Sequence, residues 1–159
     1  MKTAGTETTI SFALRRREKF LGKILKHGES EGQAFVRLSA KKSGWIRPVH
    51  EVWKTEDHVI TLNHPLIHEG TPTISEFVEK INRYSTIRAQ ELHKQKVRVN
   101  TLSLLFYPLA KFLHNYIVRY GFLDGTHGFV HAAFMSFHSF LVRGKLLLLQ
   151  KKTHSPSCN

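Results

Sequence analysis

The chain has 159 residues, 41% of them hydrophobic and 23% charged, a balance that excludes a disordered polymer and fits one compact domain or pieces of two. Lysine and arginine number 24 against 12 acidic residues, a formal charge of +12 at pH 7, so the expected partners are polyanions: nucleic acid, anionic lipid or phosphorylated substrates. The single cysteine, Cys158, stands in a Ser/Pro-containing tail, which excludes an internal disulfide or thiolate cluster and points to a reducing compartment.

Residues 1–9 are Thr-rich and lack the apolar core of a secretory signal. Short strands are expected at 9–14, 34–39, 49–54 and 59–62, which are rich in β-branched and aromatic residues, with Gly28, Gly32 and Gly44 in the turns between them. No strand pattern exceeds about eight residues. Residues 15–26 read as a basic connection, part of it suited to a helix. After the breakers Gly70 and Pro72, Thr73 and Glu76 are spaced as a helix capping box. Ile74, Phe77, Val78, Ile81 and Tyr84 then recur at helical spacing, and the pattern persists toward Leu92. Residues 94–98 form a basic end that complements the helix dipole.

A second helix is expected around Pro108, with Leu105, Leu109, Phe112, Leu113, Tyr116 and Ile117 on one face and Gly121 as its stop. After Asp124 and Gly125, residues 125–142 carry no Lys, Arg, Asp or Glu and hold His127, His131 and His138. Three arrangements suit this stretch: a membrane span, helices lying in a membrane interface, or a helical hairpin packed on the domain's own sheet. Three histidines weaken the span. Phenylalanines set between flanking Lys and Arg favour the interface.

The densest chemical segments are Trp45 to Glu51 and His64 to Glu69. A carboxylate at a strand end can act as a general base and a neutral imidazole can hold a divalent cation. The same residues also suit a surface ion pair. His127 and His131, at i and i+4, lack an evident third metal ligand.

A larger set of residues carries a resemblance: Arg15-Arg16-Arg17, Phe20-Leu21-Gly22, Lys26-His27-Gly28, Val36-Arg37-Leu38, Trp45, Val49-His50-Glu51, Pro65-Leu66-Ile67-His68, the segment from Glu79 to Tyr84, and Gly121-Phe122-Leu123-Asp124-Gly125. In this order they resemble the carboxyl-terminal part of family 2 glycosyltransferases, in the branch of bacterial lipopolysaccharide core and capsule glucosyltransferases. The resemblance implies an α/β fold, the carboxyl-terminal half of a GT-A domain with short mixed strands, followed by an α-helical, partly amphipathic extension. Residues 1–72 then correspond to the acceptor-side remnant, 73–150 to a membrane-interface helical extension and 151–159 to a disordered tail.

The amino-terminal half of such enzymes binds the nucleotide-sugar and carries an Asp-x-Asp metal motif. Here the aspartates are Asp57 and Asp124, so no such motif exists and the isolated chain is expected to be inactive. The resemblance implies Glu51 as the catalytic base, Arg37 and His50 as substrate-binding residues that contact phosphate or acceptor, and His68 as a late ligand to a divalent cation (Mg²⁺ or Mn²⁺), held weakly without the missing half. After the strand at 59–62 the chain is expected to run through Pro65 and return His68 toward the sheet rim, at the floor of an open cleft with Glu51 on a neighbouring strand end. The implied partners are a nucleotide-sugar donor, a lipid or glycan acceptor and an anionic membrane surface, on the cytoplasmic face of the inner membrane as a peripheral protein. Where relatives carry a further glycine and aromatic residues after His27-Gly28, this chain has Glu29-Ser30-Glu31-Gly32, and Ser39 replaces a usual aromatic. The alternative is a noncatalytic basic module for a membrane interface or for nucleic acid. Nucleic acid fits less well, because the phenylalanines do not interleave with the basic cluster as stacking platforms.

Overall fold

A computed structural model describes residues 10–30, 32–39, 44–46, 52–55, 58–70 and 73–154. The described residues hold the strands β1 (Ile10–Phe20), β2 (Lys23–Ile24), β3 (Ala34–Leu38), β4 (Gly44–Ile46), β5 (Val52–Lys54) and β6 (His58–Glu69), then the helices α1 (Ile74–Lys94), α2 (Thr101–Leu113) and α3 (Thr126–His154). β1 pairs antiparallel with β2 and β3 and also pairs with β6, forming a four-stranded sheet, and β4 pairs antiparallel with β5 in a separate ladder. This is a mixed α/β architecture, a sheet followed by three carboxyl-terminal helices.

Two strands are longer than the sequence pattern indicated, 11 residues for β1 and 12 for β6. The basic connection expected at 15–26 is instead the second half of β1 and the β2 hairpin. Its charged residues have poor intrinsic strand preference, but pairing supplies the ladder: Arg15 faces Ala34 in β3, and Lys19 and Phe20 face Ile24 and Lys23 in β2. The two-residue turn between β1 and β2 places Leu21 and Gly22 at φ of 46° and 83°, the doubly positive geometry of a tight hairpin. β6 continues through Pro65, which lacks a ladder donor and is tolerated at edges and bulges. His68 therefore lies in the strand rather than beyond it.

The chain divides into two compact units: Met1–Arg17 with Gly32–His68, and Glu18–Glu31 with Glu69–Asn159. In the first, Ser11 and Ala13 are the buried members of β1, and the Ser11 hydroxyl donates to Ser39 Oγ at 2.8 Å. Most of β6 is exposed.

In the second unit, α1 starts where the capping pattern placed it, with the Thr73 side chain accepting from the Glu76 amide at 3.2 Å. Its buried stripe runs Phe77, Ile81, Ser85, Ala89, Leu92, while Ile74 and Val78 face solvent. Hydrophobicity alone misplaces this stripe because small Ser85 and Ala89 are what allow α3 close. Phe20, Leu25, Phe77 and Ile81 pack with Val130, Phe134, Met135 and Leu141, and Ala89 and Leu92 pack with Val142 and Leu146.

α2 opens on a reciprocal cap between Asn100 and Ser103 and carries Pro108 inside it, buried, with its carbonyl accepting from Ser136 Oγ at 2.7 Å. A π turn (His114–Val118) and a 3₁₀ turn (Gly121–Asp124) lead into α3. α3 is one continuous helix. Val130, Phe134, Leu141, Val142 and Leu146 face α1 and the hairpin, whereas Phe129, Ser136, Arg143 and Gly144 meet α2 and the π turn. At 100° per residue these sets occupy opposite sides of the helix, so α3 is the middle layer of three.

Candidate functional site

In the first unit, Arg37 projects from the exposed edge of β3, and its guanidinium lies 5.6 Å from the Phe35 ring, on which Arg16 also sits at 5.8 Å. Two cations against one ring make a basic, planar patch suited to anionic ligands. His68 is half-buried on β6. His50 and Glu51 lie outside the described residues, so the expected cleft shared by Glu51 and His68 has no described geometry. Among the described residues no group of three His, Cys, Asp or Glu side chains is placed to hold a metal ion. The pair His127 and His131 gains no further ligand either. His131 is buried, with its ring against Phe20 at 5.1 Å and Phe77 at 6.2 Å.

The second unit contains a buried polar cluster where residues 25–30 meet the α2–α3 connection. Asp124 is buried, and its Oδ2 accepts the backbone N–H groups of Lys26 and His27 at 3.0 and 2.9 Å, while Oδ1 lies 3.3 Å from His27 Nδ1. Lys23 Nζ donates to the Asp124 carbonyl at 2.9 Å. Gly28, at φ 77°, donates its amide to the Arg119 carbonyl at 2.9 Å. Glu29 then accepts from Lys111 Nζ at 2.9 Å and Asn115 Nδ2 at 3.1 Å.

The connection is built for close approach. A Cβ on Gly121 would lie 2.6 Å from the Asn115 carbonyl oxygen, and one on Gly128 would overlap the Gly121 carbonyl oxygen. Glycine at both positions is thus a steric requirement.

Two of the groups here have displaced titrations, Glu29 and the neighbouring His131. Burial alone would raise the Glu29 carboxyl, but hydrogen bonds from Lys111 and Asn115 and the Lys111 charge outweigh it and hold the pKa below its usual value. Burial pushes His131 below the usual histidine value, and the carboxylates of Glu29, Glu18 and Asp124 offset only part of this. Glu29 is ionised and occupied by two donors, and Asp124 is occupied by two amides. Chemically the cluster is a clamp that fixes residues 25–30 rather than a set of free acids and bases. In the sequence Lys26, His27, Gly28 and Asp124 stand out only as parts of a resemblance, with no structural role, and Glu29 only as a departure from it. The available signal was an aspartate among glycines in a chain with few aspartates.

The outward face of α2 is the other prominent feature. Leu102, Leu105, Phe106, Leu109, Leu113 and Ile117 form a continuous exposed stripe, with Leu105 70% and Phe106 61% accessible. Of the face expected to be uniform, Phe112 and Tyr116 turn the other way and stack on each other and against Phe129. α3 itself is long and apolar enough to cross a membrane by length and composition.

Over 97 residues, 61% of the chain, it is 30% identical to an uncharacterized glycosyltransferase of Rickettsia prowazekii (strain Madrid E) and, over the same length, 30% identical to one of Rickettsia typhi (strain Wilmington). The chain spans about a third of the length of these curated relatives, 33% in each case. No protein-family profile matches the chain, and no solved structure is similar to it. What is shown is a distant, partial similarity to uncharacterized glycosyltransferases.

Proposed function

We propose that these 159 residues are the acceptor-side, carboxyl-terminal portion of a hexosyltransferase of family 2 with a GT-A fold. It transfers a sugar from a nucleotide-sugar to a lipid-linked or lipopolysaccharide or polysaccharide acceptor, at the cytoplasmic face of the inner membrane. The observation that carries this reading is the 97-residue similarity to two glycosyltransferases, each three times the length of the matched part. The ordered motifs from Arg15 to Gly125 support the finer assignment. Glu51 deprotonates the acceptor hydroxyl, Arg37 and His50 contact phosphate or acceptor, and His68 contributes to a site for Mg²⁺ or Mn²⁺ that residues outside this chain complete. The cation's chemistry is to offset charge on the departing diphosphate. His68 fits as one ligand, and the described residues offer no full set. The polar clamp at Glu29 and Asp124 fixes residues 25–30 within the second unit.

The test joins the chain to the donor-binding portion of a relative and follows transfer of labelled sugar to a lipid acceptor. Glu51→Gln should lower turnover by at least about 10²-fold, the usual effect of losing a general base. Unchanged turnover would remove Glu51 from the chemistry and leave Glu69 and Asp57 to be tried.

A further inference from the structure

We propose that the second unit docks on an anionic bilayer through the outward face of α2, lying in the interface, and that α3 does not span. This deepens the membrane side of the reading above but rests on the geometry of this unit alone. A chain that docks but supports no sugar transfer even when joined to a relative's donor-binding portion would sink that reading and leave this one standing.

Three observations select a lipid surface as the occupant. The stripe Leu102, Leu105, Phe106, Leu109, Leu113, Ile117 points directly away from α3, so an amphipathic helix presents its apolar side outward, the reverse of a helix whose apolar side serves a core. The opposite layer is mostly polar: α1 exposes Glu76, Glu79, Asn82, Arg83, Gln90 and Lys94, with Ile74 and Val78 as the apolar exceptions. The unit therefore has one apolar and one hydrated face, as an interfacial protein does.

The charge distribution supplies the third observation. The Gln150 side chain donates to the Val97 carbonyl at 2.6 Å and accepts the Val99 amide at 3.3 Å. This ties the end of α3 to the segment that enters α2. Exposed Lys94, Lys96, Arg98, Lys151 and Lys152 are thereby gathered at one end of the helical pair, next to Leu102 and Leu105. Cations beside an apolar stripe complement anionic headgroups above acyl chains. A second copy packed in parallel on the same stripe would instead bring two such collars of like charge toward each other.

α3 passes a length and composition test for a span, with 17% of that stretch buried and Phe137, Phe140 and Leu148 exposed, but α1 and the hairpin pack along one of its sides and α2 along the other. Surrounding it with lipid would place the charged outer face of α1 in hydrocarbon.

The experiment uses the full chain with Cys158→Ser and a nitroxide on a single introduced cysteine, at Leu109 on α2 or at Glu79 on α1. Vesicles of phosphatidylcholine alone are compared with vesicles containing phosphatidylglycerol, at low and high salt. Binding should require the anionic lipid and weaken with salt, and the label at 109 should sit below the headgroups while that at 79 stays in water. Arg98→Gln, Lys151→Gln and Lys152→Gln together should weaken binding on the order of a hundredfold. Leu105→Glu with Leu109→Glu should abolish it with the circular dichroism melt unchanged, since both positions are exposed. A label at 109 in water, salt-independent binding, retention of the protein through alkaline carbonate, or a lipid-free dimer dispersed by the same two glutamates would each overturn the proposal.

Discussion

Asp124 concentrates the residue-scale physics of the second unit, because one carboxylate satisfies the amides of both Lys26 and His27. Asp124→Ala leaves these part-buried donors without an acceptor and should cost about 1–3 kcal/mol in urea unfolding, with Asp124→Asn, which keeps a carbonyl oxygen, costing less. Equal losses for the two would assign the effect to packing. Glu29 and His131 predict a pH response. The folded Glu29 carboxyl has a lowered pKa, so its stabilisation is present above the usual value of 4.5 and is lost as pH falls through the folded value. His131 is neutral when buried, so below its usual value of 6.5 the unfolded chain takes up the proton first and folding is penalised. Both effects lower the melting temperature on acidification from pH 7 to 4. His131→Phe should flatten the upper part of that fall, and a fall unchanged in this variant would remove His131 as its source. The Thr73 cap was legible in the sequence because its partner is three residues away; the Asp124 clamp was not, because its partners lie 98 and 97 residues distant.

Among the elements, those governed by local pattern were readable and those governed by tertiary pairing were not. The starts of α1 and β3 follow from a cap and from the Phe35-Val36 pair, aromatic and β-branched. The second half of β1, Arg15 to Lys19, holds charges that no propensity favours in a strand and forms because β2, β3 and β6 are there to pair with it. The candidate base and its neighbour, Glu51 and His50, were legible only as a motif between strands. Helical spacing located the apolar residues of α2 but carried no information about which side another helix would take. The α1–α3 contact depends on a latch the periodicity also misses. Lys145 Nζ donates toward the Asn82 carbonyl and Oδ1 at 2.7 Å and toward Ser85 Oγ and Thr86 Oγ1 at 2.8 Å. Lys145→Met keeps the stem and removes the ammonium, and should cost about 1 kcal/mol, since the site is partly open to water. No change in the urea midpoint would make the latch incidental. Gly128→Ala should be more damaging, because the backbone of the α2–α3 connection must shift to admit a methyl group against the Gly121 carbonyl; a cost below about 1 kcal/mol would show that this connection yields easily.

For the whole molecule, the formal charge is +12, most of β6 is exposed and α2 carries an exposed apolar stripe. Its similarity to glycosyltransferases extends over only about a third of their length, and the donor-binding Asp-x-Asp expected of a GT-A enzyme is not among these residues. The central claim, that the chain supplies the acceptor side of a sugar transferase whose donor side lies elsewhere, is tested most directly by one assay. Labelled sugar transfer from a panel of nucleotide-sugars to a lipid acceptor is measured for the 159-residue chain alone and for the chain joined to a relative's donor-binding portion. No turnover alone and Mn²⁺- or Mg²⁺-dependent turnover when joined is the predicted result; turnover by the chain alone would contradict it.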